Sequence, residues 1–111
     1  RWESEAGANI LLSLFLPAPF LEATVQFRLN MAVALAVSDF AKLYLGEGIR
    51  LKWPNDVYYQ QTKLGGILIE NSIQGNRLSD SVVGVGINVN QSHFFGSFSA
   101  TSFTNITGRY Y

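Results

Sequence analysis

The segment at residues 52–56 reads Lys-Trp-Pro-Asn-Asp and places an amide and a carboxylate directly after a predicted strand. Because Pro54 fixes its own backbone angle, Asn55 and Asp56 are held stiffly at the end of the sheet, as candidate groups for binding a ligand. The segment alone favours the alternative, in which both are simply turn residues of a hairpin.

A lysine and two glycines follow in Lys63-Leu64-Gly65-Gly66, at the start of another predicted strand. Glycine destabilises a strand, so it is typical of places where something approaches the main chain closely. The ammonium of Lys63 beside open main chain suits an anionic ligand, such as a carboxylate or a phosphate. A β-bulge that carries a solvated lysine is an equally good interpretation of this segment.

The third candidate is the strand at residues 83–90, which alternates valine or isoleucine with glycine or asparagine. Its period of two places the valines and the isoleucine on one face, which belongs to the core. Gly84, Gly86 and Asn88 share the opposite face, where bare backbone leaves room for a flat ligand. An asparagine amide can pair with the donor and acceptor edge of adenine. The alternative is tight packing of a helix on the glycine face.

The composition limits the other functions. The chain has 111 residues, of which 48% are hydrophobic, so it is one domain or part of one and not a disordered chain. Eight basic residues balance eight acidic ones, which argues against broad electrostatic capture of nucleic acid or an anionic membrane. Cysteine is absent and His93 is the single histidine, which excludes disulfides, thiol chemistry and a histidine metal cluster.

A strand and a long helix are predicted before the candidate segments. The continuous apolar run at residues 8–16 predicts a strand buried on both faces. Apolar residues at steps of three and four predict a helix over residues 22–45, with Glu22 in its first turn. The predicted buried face of this helix consists of Val25, Leu29, Val33, Ala36, Phe40 and Leu43.

Short strands follow the helix and carry the candidate groups. Residues 49–53 alternate apolar and basic side chains, so Trp53 is expected in the core with Ile49 and Leu51. One helix followed by hairpin-connected strands predicts an α+β fold, with a mixed, mostly antiparallel sheet packed against that helix. The later elements are strands at residues 57–59, 63–70 and 81–90, a hairpin loop at 71–76, and the start of a helix within 104–111.

The three candidate segments, in this order, resemble the catalytic domain of biotin–protein ligases. That family carries Lys-Trp-Pro-Asn-Asp, then a lysine seven residues after the Asp in a Lys-x-x-Gly-Ile-Leu strand, then a Gly-x-Gly-Ile/Leu-Asn strand. Here these are residues 52–56, Lys63 with residues 66–68, and residues 84–88. The resemblance implies a class II aminoacyl-tRNA synthetase-like fold.

The resemblance also implies a two-step ligase reaction. ATP, with Mg²⁺, activates the biotin carboxylate as biotinyl-5′-adenylate and releases pyrophosphate, and the biotinyl group then passes to a lysine of a biotin carboxyl carrier protein. Because the carboxylate and the α-phosphate are both anionic, this chemistry needs a cation aimed between them. A cytoplasmic enzyme is implied, and the balanced charge of the chain gives no reason to expect a membrane or nucleic-acid partner.

Site roles follow from the same resemblance, residue by residue. Lys63 matches the family lysine that contacts the biotin carboxyl group and the phosphate, and Asn55 and Asp56 match residues beside the nucleotide. Asp56 is also expected to help set up the chemistry, through Mg²⁺ carried in with ATP. Asn88 matches an adenine contact, and Trp2 a residue that packs near the adenine. The biotin pocket is implied at Gly66, Leu68, Gly84 and Ile87.

The sequence departs from the family pattern by omission. The family's Gly-Arg-rich loop lies just upstream of the position of Trp2, and residues 1–111 do not include it. The upstream serines and threonines of the pocket and the small C-terminal domain are also missing. We therefore expect residues 1–111 to be a central fragment of the catalytic domain that carries part of each ligand site.

Two other functions stay open. A lipoate–protein ligase shares the fold and the activated-acyl chemistry, although the segments KWPND at 52–56 and GINVN at 86–90 favour biotin. A module of another class would sense biotinyl-adenylate, or pair through its sheet, without catalysis. A Gly-Arg-rich loop encoded upstream of Arg1 would favour the enzyme.

The composition and the missing segments predict a chain that associates and does not biotinylate. With 48% hydrophobic and 14% charged residues, little opposes the pairing of open strand edges and apolar surfaces, so we expect a homodimer or a higher oligomer. Without the Gly-Arg loop to close over Lys63, we expect no labelling of a carrier domain. Light scattering and a labelling assay on one preparation check both; a monomer at high concentration contradicts the first expectation, and labelling above the no-enzyme control the second.

Overall fold

Among the residues that the structure describes, an antiparallel sheet of five strands packs against one long helix. The computed structural model describes residues 4–17, 22, 26–53, 55–96 and 99–111. The strand order in the sheet is β1-β5-β4-β3-β2, and every neighbouring pair is antiparallel, which confirms the predicted α+β class. The elements are β1 (Ile10–Pro17), α1 (Gln26–Leu45), β2 (Ile49–Lys52), β3 (Asp56–Tyr59), β4 (Thr62–Gln74), β5 (Arg77–Ile87) and α2 (Phe103–Thr107).

Hairpins connect β3, β4 and β5. The strand β4 is longer than predicted, because pairing with β5 continues to Gln74 and leaves a turn of only Gly75 and Asn76. Gly75 has a φ of 62°, as tight two-residue hairpin turns require. The strand β5 begins earlier than the predicted strand at residues 81–90 and ends at Ile87; beyond it, Asn90 donates its main-chain N–H to the carbonyl of Ala8.

The fully buried face of α1 consists of small side chains and is rotated from the predicted face, of which Val33 packs partly buried against the core. Ala34, Val37, Ser38 and Ala41 are buried, whereas Leu43 is 81% exposed. Small residues allow the helix backbone to lie close to the sheet, which a row of larger side chains would prevent. The core joins this face to Val57, Leu64, Ile67, Ile87 and Phe103.

Two larger residues of the predicted helix face have other places. Phe40 is partly exposed, and its ring stacks against Phe103, with centroids 6.3 Å apart, and against Tyr44 at 5.4 Å. Val25 lies outside the described residues. Glu22 does not begin the helix; it forms an isolated antiparallel bridge with Arg77.

The prediction that the first strand is buried on both faces is wrong. The strand β1 lies at one edge of the sheet, and consecutive side chains pointing to opposite faces are exposed, Leu11 by 61% and Leu12 by 46%. The helix α1 packs over β2, β3 and β4, toward the other edge. An apolar run therefore predicted the strand correctly, but burial depends on which elements cover it.

Trp53 is also outside the core. Its side chain is 64% exposed, and its ring lies 5.2 Å from that of Phe27. The strand β2 ends at Lys52, so Trp53 belongs to the following turn and no longer follows the alternation that the prediction assumed. Leu51 is exposed as well, and Ile49 packs partly buried against the core.

The predicted C-terminal helix is a single short turn, α2. Ser102 is its N-cap, and the Ser102 hydroxyl accepts a hydrogen bond from the main-chain N–H of Asn105. Gly108, with a φ of 77°, ends the helix by donating its N–H to the carbonyl of Thr104. No helix within the described ranges has the length and apolar character needed to cross a membrane.

Gly65 leaves no room for a side chain beside the backbone of β5, and this gives a stability prediction. A Cβ atom at position 65 would lie 2.5 Å from the carbonyl oxygen of Gly86, so the backbone would have to shift. We expect Gly65→Ala to lower the free energy of unfolding by about 1–3 kcal/mol, as overpacking typically does.

Gly84→Ala is the matched control, because a Cβ there would meet the nearest atom, the carbonyl oxygen of Leu68, at an ordinary 3.5 Å. Chemical denaturation of both variants measures the difference. Equal stability of the two variants would show that the backbone of β5 beside Gly65 does not exclude a side chain at that position.

Candidate functional site

A β-bulge at Leu64 determines the direction of Lys63. On β3, Val57 and Tyr58 are consecutive, but their partners on β4 are Gly65 and Lys63, so Leu64 is an extra residue. An extra residue reverses the alternation of the strand. Leu64 therefore enters the core, where it is fully buried, while Lys63 lies on the open face. The bulge that the sequence allowed is present, but Lys63 lines a cavity.

The open face of the sheet carries a row of register partners across four strands, with glycines at its centre. Leu11, Gly86, Gly66 and Asp56 are register partners in succession, on β1, β5, β4 and β3. The two central strands of this row, β5 and β4, present glycines between the larger flanking residues, so the backbone itself forms the floor. A second row, two residues away, contains Ser13, Gly84 and Leu68.

An open cavity of about 420 Å³ lies over these rows. Its volume is within the range of sites for small organic ligands. Leucine side chains from β1 and β4 form its apolar part, and one carboxylate and one ammonium group form its polar end. The lining residues are Leu11, Leu12, Ser13, Asp56, Lys63, Gly66, Ile67, Leu68, Gly84, Val85 and Gly86.

The polar end is an ion pair. The Lys63 ammonium nitrogen lies 3.3 Å from a carboxylate oxygen of Asp56, and the two side chains are 27% and 38% exposed. Partial exposure means that water screens the pair, so a ligand can compete with Asp56 for the ammonium at modest cost. Charge-assisted hydrogen bonds from lysine favour carboxylate and phosphate oxygens. The cavity therefore suits a flat, largely apolar ligand that ends in an anionic group.

The structure brings together five of the predicted site residues: Asp56, Lys63, Gly66, Leu68 and Gly84 all line the cavity. It does not bring Ile87 there. Ile87 is 4% exposed and belongs to the core cluster, because its side chain points to the opposite face from the neighbouring Gly86. Trp2 lies outside the described residues.

Asn55 and Asn88 flank the site and do not line the cavity. Asn55 is half-buried, and its main-chain carbonyl accepts a hydrogen bond from the N–H of Ile67. Asn88 is 4% exposed, and its side-chain Nδ2 donates to the carbonyl of Thr101 at 3.0 Å. Its role in reading adenine stays a prediction.

Sequence reasoning missed the contribution of β1 to the cavity. Leu11, Leu12 and Ser13 line it because β1 pairs with β5, some seventy residues later in the chain. The continuous apolar run at residues 8–16 predicted a strand but contained no signal for its partner or register. Gly86 was already on the predicted ligand face, so its position in the floor of the cavity agrees with the alternation of β5.

The family follows from the sequence over most of the chain. The profile of the Biotin/lipoate A/B protein ligase family matches residues 2–88. The chain therefore belongs to the biotin/lipoate protein ligase family, and its order of motifs and its glycine-floored cavity agree with that membership.

The chain is similar to several characterised ligases. The Bifunctional ligase/repressor BirA of Escherichia coli is 33% identical over 89 residues, a match that covers 80% of this chain and 27% of that protein. The Biotin--[acetyl-CoA-carboxylase] ligase of Paracoccus denitrificans is 41% identical over 91 residues, covering 80% of this chain and 37% of that protein. The chain thus spans about a quarter to a third of the length of these relatives.

Solved structures of biotin protein ligases share the fold. The apo enzyme from Aquifex aeolicus is 33% identical with a TM-score of 0.76, and the match covers 94% of this chain and 45% of that one. The same enzyme in complex with biotin and ATP gives a TM-score of 0.74 at 33% identity, over 94% of this chain and 43% of that one. The predicted class II aminoacyl-tRNA synthetase-like fold is confirmed.

The exposure of the ion pair gives a prediction about stability. Because both groups are in contact with water, we expect the Lys63–Asp56 pair to contribute less than about 1 kcal/mol to the free energy of unfolding. Chemical denaturation of Asp56→Asn, Lys63→Gln and the double variant gives the coupling energy between the two side chains. A coupling of several kcal/mol would show that the pair is a structural ion pair and not one that a ligand displaces.

Proposed function

We propose that this chain forms the acyl-binding part of an ATP-dependent biotin–protein ligase. The enzyme joins biotin to ATP as biotinyl-5′-adenylate and transfers the biotinyl group to a lysine of a biotin carrier protein domain. The observation that supports this most is the position of the Lys63 ammonium at the polar end of a cavity floored by glycines. The match to a biotin protein ligase that binds biotin and ATP supports it independently.

The shape of the cavity fits the chemistry of biotin. The fused rings are flat and compact, and the exposed backbone at Gly66 and Gly84 gives them a surface without side chains. The aliphatic chain of biotin would lie against Leu68, and its carboxylate would reach Lys63. Each part of the ligand thus meets a lining group of matching polarity.

In the first step, a carboxylate oxygen of biotin attacks the α-phosphorus of ATP. A carbon-bound oxygen forms a new bond to phosphorus, the bond to the bridging oxygen breaks, and pyrophosphate leaves. Two anionic groups must approach each other, and the Lys63 ammonium offsets their repulsion and the charge that develops. In the ligand-free chain this ammonium already lies at the polar end of the cavity, 3.3 Å from Asp56, and the anionic substrates then replace Asp56 as its partner.

In the second step, the neutral amine of the carrier lysine attacks the acyl carbon. A new amide bond forms, the bond between the acyl carbon and the phosphate oxygen breaks, AMP leaves, and the amine proton passes to solvent. Lys63 remains beside the phosphate and stabilises the leaving group.

Mg²⁺ would enter with ATP and supply further positive charge to the phosphates. No group of three or more potential metal ligands of the His, Cys, Asp and Glu types occurs in the described part of the chain. That fits a cation held mainly by phosphate oxygens and water with one or two carboxylates, and Asp56 is the carboxylate of the cavity. In this proposal Asn55 and Trp2 lie beside the nucleotide, and the protein works in the cytoplasm, where ATP and carrier domains are available.

Mass spectrometry of a purified carrier domain tests the function. The full-length product of the gene that encodes this sequence is incubated with the carrier domain, ATP and biotin. A gain of one biotinyl group is expected, and a parallel reaction with lipoate is expected to give no product. Labelling with lipoate alone would assign the lipoate branch of the family, and labelling with neither would favour a noncatalytic module.

Lys63→Ala should lower adenylate formation by about 10²–10³-fold in the full-length protein, the typical loss for one preorganised electrostatic group. Pyrophosphate release in the presence of biotin and ATP measures the rate. Lys42→Ala is the matched control, since it removes the same charge from an exposed position in the last turn of α1. Near-normal pyrophosphate release by Lys63→Ala, or an equal loss in both variants, would contradict the role of Lys63.

A further inference from the structure

A side chain continues the hydrogen bonding between β1 and β5 beyond the end of their ladder. The last register pair of the two strands is Ile10 with Ile87. Past this pair, the Oδ1 of Asn9 accepts a hydrogen bond from the main-chain N–H of Val89 at 2.8 Å. The amide of Asn9 therefore supplies the acceptor that the main chain of a partner strand supplies elsewhere in the ladder.

The same amide is bound to a second one, that of Gln91. The Asn9 Nδ2 donates to the Oε1 of Gln91 at 2.7 Å and to the hydroxyl of Ser4 at 2.9 Å. The Gln91 Oε1 also accepts a hydrogen bond from the main-chain N–H of Glu5 at 3.2 Å, and its Nε2 donates to the carbonyl of His93 at 2.9 Å. Gln91 is 9% exposed, so water competes little for these bonds. This amide pair joins the turn before β1 to the chain after β5.

We propose that Asn9 and Gln91 are positioning residues for the nucleotide and act through Asn88. The residue Asn88 follows the end of β5, so its place depends on bonds outside the ladder. Its own N–H donates to the carbonyl of Leu64 at 2.9 Å, and the next residue, Val89, is held by Asn9. The inference rests on the proposed function, with Asn88 as the adenine contact that the family resemblance implies.

The amide pair affects the two substrates differently in this proposal. A contact between an asparagine amide and the edge of adenine depends on alignment, so a small displacement of Asn88 weakens it. The floor of the cavity is hydrogen-bonded backbone of β4 and β5, and neither Asn9 nor Gln91 lines it. Loss of the amide pair should therefore weaken the binding of ATP and leave the binding of biotin unchanged.

Hydrogen exchange in the ligand-free chain tests the structural part. In Asn9→Ala, the amide of Val89 loses its acceptor, and that of Asn90 loses support because it donates to the carbonyl of the adjacent Ala8. Both amides should exchange about two- to tenfold faster, the effect of removing one hydrogen bond. The amides of the β4–β5 ladder should keep their protection. Unchanged exchange at Val89, or equally faster exchange throughout the sheet, would overturn the proposal.

Two substitutions of Gln91 separate its hydrogen bonds from its mere presence. Gln91→Glu keeps the oxygen that accepts from Asn9 and Glu5 and should retain the protection of the Glu5 amide, whereas Gln91→Ala should lose it. Gln91→Ala also carries the test should Asn9→Ala fail to fold. Asn105→Ala is the matched control, because the Asn105 Nδ2 donates to the carbonyl of Ser92 in the same segment, at 3.2 Å. This control should leave the exchange of the Val89 and Glu5 amides unchanged.

Kinetics of the full-length protein test the functional part. Asn9→Ala should raise KM for ATP about two- to tenfold, a part of the loss that removal of the adenine contact itself gives. The kcat for adenylate formation and the Kd for biotin, measured without ATP, should stay unchanged. The rise in KM should disappear in an Asn88→Ala background, and Gln91→Glu should behave as the wild type.

Three kinetic results would overturn the proposal: an unchanged KM for ATP in Asn9→Ala, an equal loss of biotin and ATP binding, or the same rise in KM with and without the Asn88 side chain. A wild-type protein that forms no biotinyl-adenylate would contradict the proposed function instead. In that case the hydrogen exchange still decides whether the amide pair holds the chain beside Asn88.

Discussion

The burial of Leu64 is the constraint on which the site depends. Leu64 is fully buried beside Gly65, and two consecutive residues of β4 therefore occupy the core side of one strand. Without the bulge, Lys63 and Leu68 would face opposite sides of the sheet, so the ammonium and this leucine could not both line the cavity. Burial of an unpaired ammonium is far more costly than a local break in a ladder of hydrogen bonds. The packing of Leu64 on the core face thus determines the position of the Lys63 ammonium on the opposite face.

The site combines rigid and adaptable parts. Its floor consists of hydrogen-bonded backbone at Gly66, Gly84 and Gly86, which leaves little freedom to move. Its polar end is a screened ion pair whose partner can change. Such a division suits a reaction in which one anionic ligand must bind in a defined place and a second must then approach it.

Local patterns predicted most of the fold and the centre of the site. The alternation of residues 83–87 predicted both the core face and the glycine face, and the order of the motifs predicted the family. What failed depended on distant packing: the exposure of Leu11 and Trp53, and the rotation of the buried face of α1 toward Ala34 and Ala41. A sequence segment specifies its own period, but not the element that covers it or the register of a partner seventy residues away.

The bulge also explains the spacing of Lys63 and Gly66 in the sequence. Lys63 and Gly66 are three residues apart, an odd number, and two residues so spaced on a regular strand would lie on opposite faces. Their presence on one face requires an extra residue between them. Insertion or deletion of a single residue in this interval would therefore turn Lys63 toward the core and its neighbour toward solvent. A substitution at constant length leaves this arrangement unchanged. In this interval, the number of residues determines which side chain faces the cavity.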